Sequence, residues 1–234
     1  HFNKHELTEK LEEFLIYGSY PDVINHKTRE GKIVTIDEIT NSYLFKDILE
    51  LEGIKKSKVL VDLLRLIAFQ VGNEVSHSEL ASRLGINYKT VAKYLDLMEQ
   101  AFIIYNLRGF SRNLRNEITK KSKYYFYDNG IRNSIIQNFN KLELRNDIGQ
   151  LWENFLVSER LKKQQYHGVF ANNYMWRTWD QKEIDFIEER EGKLFAYEFK
   201  WSGKKSKIPK DFAKAYPKHE FQEVSKENYL DFIT

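Results

Sequence analysis

Acidic and basic side chains that could share one reaction centre are concentrated between Glu183 and Lys200: Asp185, then twelve intervening residues, then Glu198-Phe199-Lys200. A hard divalent cation such as Mg²⁺ takes oxygen ligands, commonly one or two carboxylates completed by waters and phosphate oxygens. A lysine beside it can orient the attacking water or offset charge on a phosphate in flight. Two apolar-polar alternating runs flank the charged, Gly-containing segment from Glu189 to Lys193, which predicts a β-hairpin turning at residue 191 or 192. Strand alternation then puts Glu198 and Lys200 on one face and Tyr197 and Phe199 on the other, and sets Ile184 and Phe186 against Asp185. Folding the hairpin brings Asp185 near Glu198.

Those residues resemble the PD-(D/E)XK nuclease core, the restriction-endonuclease-like fold. The resemblance implies metal-dependent phosphodiester cleavage, with Asp185, Glu198 and the Phe199 carbonyl as Mg²⁺ ligands and Lys200 beside the water. It also implies that Glu153, in Leu151-Trp152-Glu153-Asn154-Phe155-Leu156, is the acid of the preceding helix. Alternating Glu and Lys on a hairpin is also ordinary sheet chemistry. The order of elements adds weight to the motif: a strand at 124–128, a helix at 148–164, the hairpin, a helix from about Lys210 to Ala215 and a strand near 220–224.

Upstream, Leu7, Leu11, Phe14 and Leu15 fall at helical spacing before Tyr17-Gly18-Ser19-Tyr20-Pro21 stops the run, and 32–50 reads as one or two further helices. A strongly apolar helix over 57–71 precedes the capping-box sequence Ser76-His77-Ser78-Glu79. A second helix follows to Gly85, a third starts at Asn87, and 102–110 and 122–127 read as strands. That succession predicts a winged helix-turn-helix. Asn87, Tyr88, Lys89, Thr90 and Lys93 lie outward on the third helix, suited to phosphate or base-edge contacts, and Asn87 also suits an N-cap. The wing carries Arg108, Arg112, Arg115, Lys120, Lys121 and Lys123. Tyr124-Tyr125-Phe126-Tyr127-Asp128 followed by Asn129-Gly130 reads as a strand ending in a turn. Trp201-Ser202-Gly203-Lys204-Lys205-Ser206-Lys207 is a basic loop, either a phosphate holder or simply solvated.

A second resemblance spans nearly the whole chain. Phe14 to Val23, the winged-helix segment, Tyr125 to Arg132, Trp176-Arg177-Thr178 and Glu183-Ile184-Asp185-Phe186 together resemble the C-terminal half of a family of prokaryotic AAA-type ATPases. It implies a mixed α/β chain: 1–56 continuing an ATPase lid, 57–127 the winged helix-turn-helix, and 128–234 a restriction-endonuclease-like mixed sheet flanked by helices. It also implies an N-terminal P-loop domain of the same protein as partner, with DNA as ligand and an oligomer as a further expectation. No G-x-x-x-x-G-K-[ST] occurs, so ATP is not expected to bind this chain. Two functions stay open: a Mg²⁺-dependent nuclease, or a non-catalytic nucleic-acid- or protein-binding module of that ATPase.

Composition narrows these choices. The 234 residues are 41% hydrophobic and 15% aromatic, enough for real cores. A net charge of +3 confines any basic footprint to local patches. With no cysteine there is no disulfide, thiolate zinc site or cysteine nucleophile. The histidines, His1, His5, His26, His77, His167 and His219, show no zinc-site spacing and suit surface or loop roles. No apolar run approaches the roughly 20 residues of a membrane helix, so a cytoplasmic protein is expected.

Overall fold

Helical and alternating apolar patterns sort the chain into ten α-helices and seven strands among the described residues, which are 4–45, 57–110, 122–178, 181–203 and 205–234. The computed structural model divides into two units: His1–Tyr105 with Tyr124–Phe155, and Asn106–Lys123 with Leu156–Thr234. No described helix is long and apolar enough to cross a membrane.

The first unit opens with α1 (Lys4–Tyr17), α2 (Pro21–Asn25) and α3 (Arg29–Glu38). After α4 (Ser57–Phe69) come β1 (Glu74–Val75), α5 (His77–Leu84) and α6 (Tyr88–Gln100). Strands β2 (Ile104–Gly109) and β3 (Ser122–Phe126) and helix α8 (Ile148–Tyr166) each belong partly to both units, and α7 (Asn129–Ile135) lies between β3 and α8. Leu60, Leu63, Leu64 and Ile67 of α4 and Val91, Leu95 and Met98 of α6 are buried, as the 3.6-residue period requires. Ser76 Oγ accepts from the Glu79 amide at the start of α5, while the Glu79 carboxylate pairs with Arg83, 2.8 Å away. His77 is not a loop residue but the first of α5, with its ring 2.9 Å from the Tyr124 hydroxyl.

The expected turn after Asp128 is instead the start of α7. Asp128 is its N-cap, with Oδ1 accepting from Gly130 and Ile131 at 2.7 and 3.2 Å. Its Oδ2 accepts from the Ser19 amide at 2.7 Å, joining Gly18-Ser19 to Asp128-Asn129-Gly130 across the fold. Asn133 donates to the carbonyls of Leu15 and Ile16 at 3.0 and 2.8 Å, closing off the end of α1. These segments carry the family resemblance, and their contacts brace the fold.

Near α7, Asp147 sits between Arg132 and Arg145, at 2.5 and 2.8 Å. Burial alone would raise its pKa, but the bonds and charges of the two guanidinium groups hold it at about 2, below the ordinary 3.8. A depressed carboxylate pKa gives stability that is present above the unfolded value and lost as pH falls through the folded one. Stability should therefore drop between about pH 4 and pH 2, read as a falling urea midpoint. Asp147→Asn should flatten that part of the curve.

In the second unit β4 (Asn172–Arg177), β5 (Glu183–Arg190), β6 (Lys193–Phe199) and β7 (His219–Val224) are interspersed with α9 (Lys210–Ala215) and followed by α10 (Tyr229–Ile233). The strand order is β1-β3-β2 and then β4-β5-β6-β7. Pairings β2–β4 and β6–β7 are parallel, while β4–β5 and β5–β6 are antiparallel. This is a mixed sheet. Arg160 on α8 grips the fully buried Glu188 of β5 through Nε and Nη2, and Gln164 adds a bond to Glu188 at 2.7 Å.

Candidate active site

Arg190 pairs with Lys193 at the tip of the β5–β6 hairpin. Between them Glu191 and Gly192 have φ of +53° and +72°. Two left-handed residues make the tight turn whose twist matches the flanking strands, and only the glycine takes that conformation without steric cost. The ladder then runs regularly back to Phe186 opposite Tyr197.

At Asp185 the regularity ends. On β4 Tyr174 pairs with Ile187 and Trp176 with Ile184, so three steps along β5 answer two along β4. Such a β-bulge re-aims side chains and breaks alternation. Ile184 packs in one cluster with Ile187, Ala196 and Phe212. Phe186 instead lies against Phe199 and Phe232, with ring centroids 6.3 and 6.4 Å apart. The expectation that Ile184 and Phe186 share a face is therefore corrected, because the extra residue rotates one relative to the other. Between them Asp185 is 8% exposed, and its Oδ2 accepts from the Phe199 amide on β6 at 2.8 Å.

Lys200 Nζ donates to Glu198 Oε1 at 2.7 Å. Burial pushes the Lys200 pKa down, but the Glu198 bond and charge, with the charges of Asp185 and Glu223, outweigh it and raise the pKa above the ordinary 10.5. Lys200 is therefore a fixed cation at neutral pH, able to donate hydrogen bonds and offset negative charge but not to act as a base. Glu223 stands opposite Glu198 in the parallel β6–β7 register. Asp185, Glu198 and Lys200 thus gather at the ends of β5 and β6, with the buried Phe199 between the last two.

Two carboxylates and a backbone carbonyl form a donor set that suits Mg²⁺, which keeps several waters and takes phosphate oxygens. Among the described residues no group of three or more His, Cys, Asp and Glu is arranged to hold a metal. An ion at this site would therefore rely on water and substrate for the rest of its shell.

Glu153 belongs to the first unit. There its Oε1 accepts from the Tyr125 hydroxyl at 2.5 Å, and its other oxygen lies near Gly72. On α6, Tyr88, Lys89 and Lys93 are exposed and Thr90 is half-buried. The side chain of Asn87 caps the helix, accepting from the Lys89 amide at 2.8 Å. Arg112 and Arg115, with Lys120 and Lys121, lie outside the described residues. Arg108 is exposed on β2, but Lys123 is corrected: it is 2% exposed and its Nζ sits 2.6 Å from Glu183 Oε1.

The elements define a mixed α/β protein with paired carboxylates and a lysine at the end of a hairpin. The chain belongs to the family described as Domain of unknown function (DUF8612), whose match covers residues 8–142, more than half of its length. Residues 148–230 match a second family, Domain of unknown function (DUF4143). The chain is 27% identical to an uncharacterized protein of Haemophilus influenzae over 79% of this chain and 44% of that protein. It is 24% identical to an uncharacterized protein of Mycobacterium tuberculosis, covering 78% of this chain and 41% of the relative. With an uncharacterized protein of Methanocaldococcus jannaschii it shares 25% identity over 92% of this chain and 47% of the relative. The chain thus spans less than half the length of these curated relatives. No solved structure matches.

Proposed function

We propose that 128–234 is a restriction-endonuclease-like domain that cleaves DNA phosphodiesters with a divalent metal. The observation that carries this reading is the gathering of Asp185, Glu198 and a protonated Lys200 at adjacent strand ends. A Mg²⁺ held by Asp185, Glu198 and the Phe199 carbonyl would polarise a phosphoryl oxygen and acidify a bound water. Lys200 donates toward the water or the phosphate and offsets the charge that builds up there. The Phe199 amide fixes the Asp185 carboxylate so that it need not reorganise during reaction.

In the same reading 57–127 is a winged helix-turn-helix that grips DNA. The succession α4, β1, α5, α6, β2, β3, with strand order β1-β3-β2, supports it, as does the exposed Tyr88, Lys89 and Lys93 face. The greater length of the relatives leaves room for an N-terminal P-loop ATPase in the parent protein. A second reading, a binding module that does not cut, is favoured by one observation: Asp185 and Glu198 already have protein partners in Phe199 and Lys200.

Incubation of labelled single- and double-stranded DNA with Mg²⁺ or Mn²⁺, alongside a gel shift, separates the two. Metal-dependent cutting by the wild type supports the nuclease. Binding without cutting at any metal concentration supports the second reading.

A further inference from the structure

Beyond Lys200 the chain forms a cleft of about 690 Å³ outside the C-terminal ends of the parallel strands β6 and β7. Its walls are residues 200–203, Lys205, Ser206, Glu223 and 225–228. A volume of this size admits a nucleotide. The carboxyl ends of parallel strands are a recurrent place for ligands, because the chain leaves the sheet there and its loops diverge.

The charges within the cleft are sorted by position. Glu223 accepts from the Ser206 amide, tying the 201–206 loop back to β7. The Glu227 carboxylate accepts from the Ser225 hydroxyl at 2.5 Å. Both acids thus help to hold the two loops in place. Lys205 and Lys226 are exposed, and the Lys226 ammonium stands 4.5 Å from the centroid of the Trp201 ring. Lys200 belongs to this cleft and to the carboxylate cluster, so the two are continuous.

We infer that this cleft holds the phosphate backbone of a bound DNA strand, beside the phosphate presented to Asp185 and Glu198, with Lys205 and Lys226 as its cationic partners. The inference rests on the nucleic-acid reading above and adds where the strand runs. Phosphate is the favoured ligand because paired cations, hydroxyls and an aromatic face recur where single strands are tracked.

The test is fluorescence anisotropy of a labelled single-stranded oligonucleotide in EDTA, with the whole chain as wild type and as Lys205→Glu/Lys226→Glu, over a range of salt. Both positions are exposed, and a thermal melt checks that the double variant folds. The expected result is affinity about tenfold or more weaker, with a salt slope shallower by roughly 1.4, two phosphate contacts at about 0.7 each. Unchanged affinity and slope would overturn the cleft, even if the wild type cuts DNA with metal. Weakened binding beside a wild type that never cuts would keep the cleft and overturn only the nuclease. A wild type that binds no oligonucleotide in EDTA would overturn the cleft, and the nuclease would then stand or fall by metal-dependent cutting alone.

Discussion

Gly130→Ala is expected to lower stability by about 3 kcal/mol or more, read as a shifted urea midpoint with unchanged slope. A Cβ there would stand 2.0 Å from the Tyr17 carbonyl oxygen and 2.9 Å from Asp128 Oδ1. The first neighbour is backbone, at the end of α1, and cannot swing aside as a flexible side chain would. Gly130 is also the second residue of α7, and its amide donates to the capping Asp128. Relieving the clash would pull apart the bond between Asp128 and Ser19. Gly149→Ala is the contrast: it lies near the start of α8, and a Cβ there meets nothing within 4 Å. It should be neutral or stabilising by up to about 1 kcal/mol, as removing a helical glycine usually is. Equal effects from the two substitutions would mean that the Ser19–Asp128 contact is not the brace described.

The second large effect concerns chemistry. Asp185→Ala and Lys200→Ala should each lower metal-dependent DNA cleavage by at least about a hundredfold, the scale of removing one preorganised electrostatic group. Their causes differ, and so should their metal dependence. Without Asp185 the ion loses one of two carboxylates, so extra Mn²⁺ should partly restore the rate. Lys200→Ala removes a cation that is not a ligand, and extra metal should not help. Because the Lys200 pKa is raised, the ammonium persists through the neutral range and is lost only as pH rises through that elevated value. The rate should therefore show no loss attributable to Lys200 between about pH 6 and 9. Rates within a few-fold of wild type for either variant would remove that residue from the mechanism.

Much of this was legible from residue patterns. The hairpin was, because Gly192 and two alternating runs allow few other folds, and the turn falls at Glu191-Gly192 as expected. The helix–strand succession from α4 to β3 was, because Ser76, Gly85 and Asn87 punctuate it at caps and stops. The bulge at Asp185 was hidden, since Ile184, Phe186 and Ile187 are all apolar and either face accepts them. Asn129-Gly130 looked like a turn because both residues favour one, and only the distant Ser19 shows why Asp128 starts a helix there. The burial of Lys123 depends on Glu183, sixty residues away in sequence, and no local pattern encodes that pairing. The carboxylates around Lys200 were only partly legible, since Glu198 and Asp185 belong to its own hairpin but Glu223 lies on β7.

The central claim is that Asp185 and Glu198 together hold one catalytic divalent ion. It is tested most directly by titrating Mn²⁺ into the wild type, Asp185→Ala and Glu198→Gln, and following the free-ion signal by electron paramagnetic resonance. The account predicts one saturable site in the wild type, weakened at least about tenfold in each variant, with cleavage rising along the same isotherm. An isotherm that is identical in all three proteins, or a wild type with no saturable site, would contradict it.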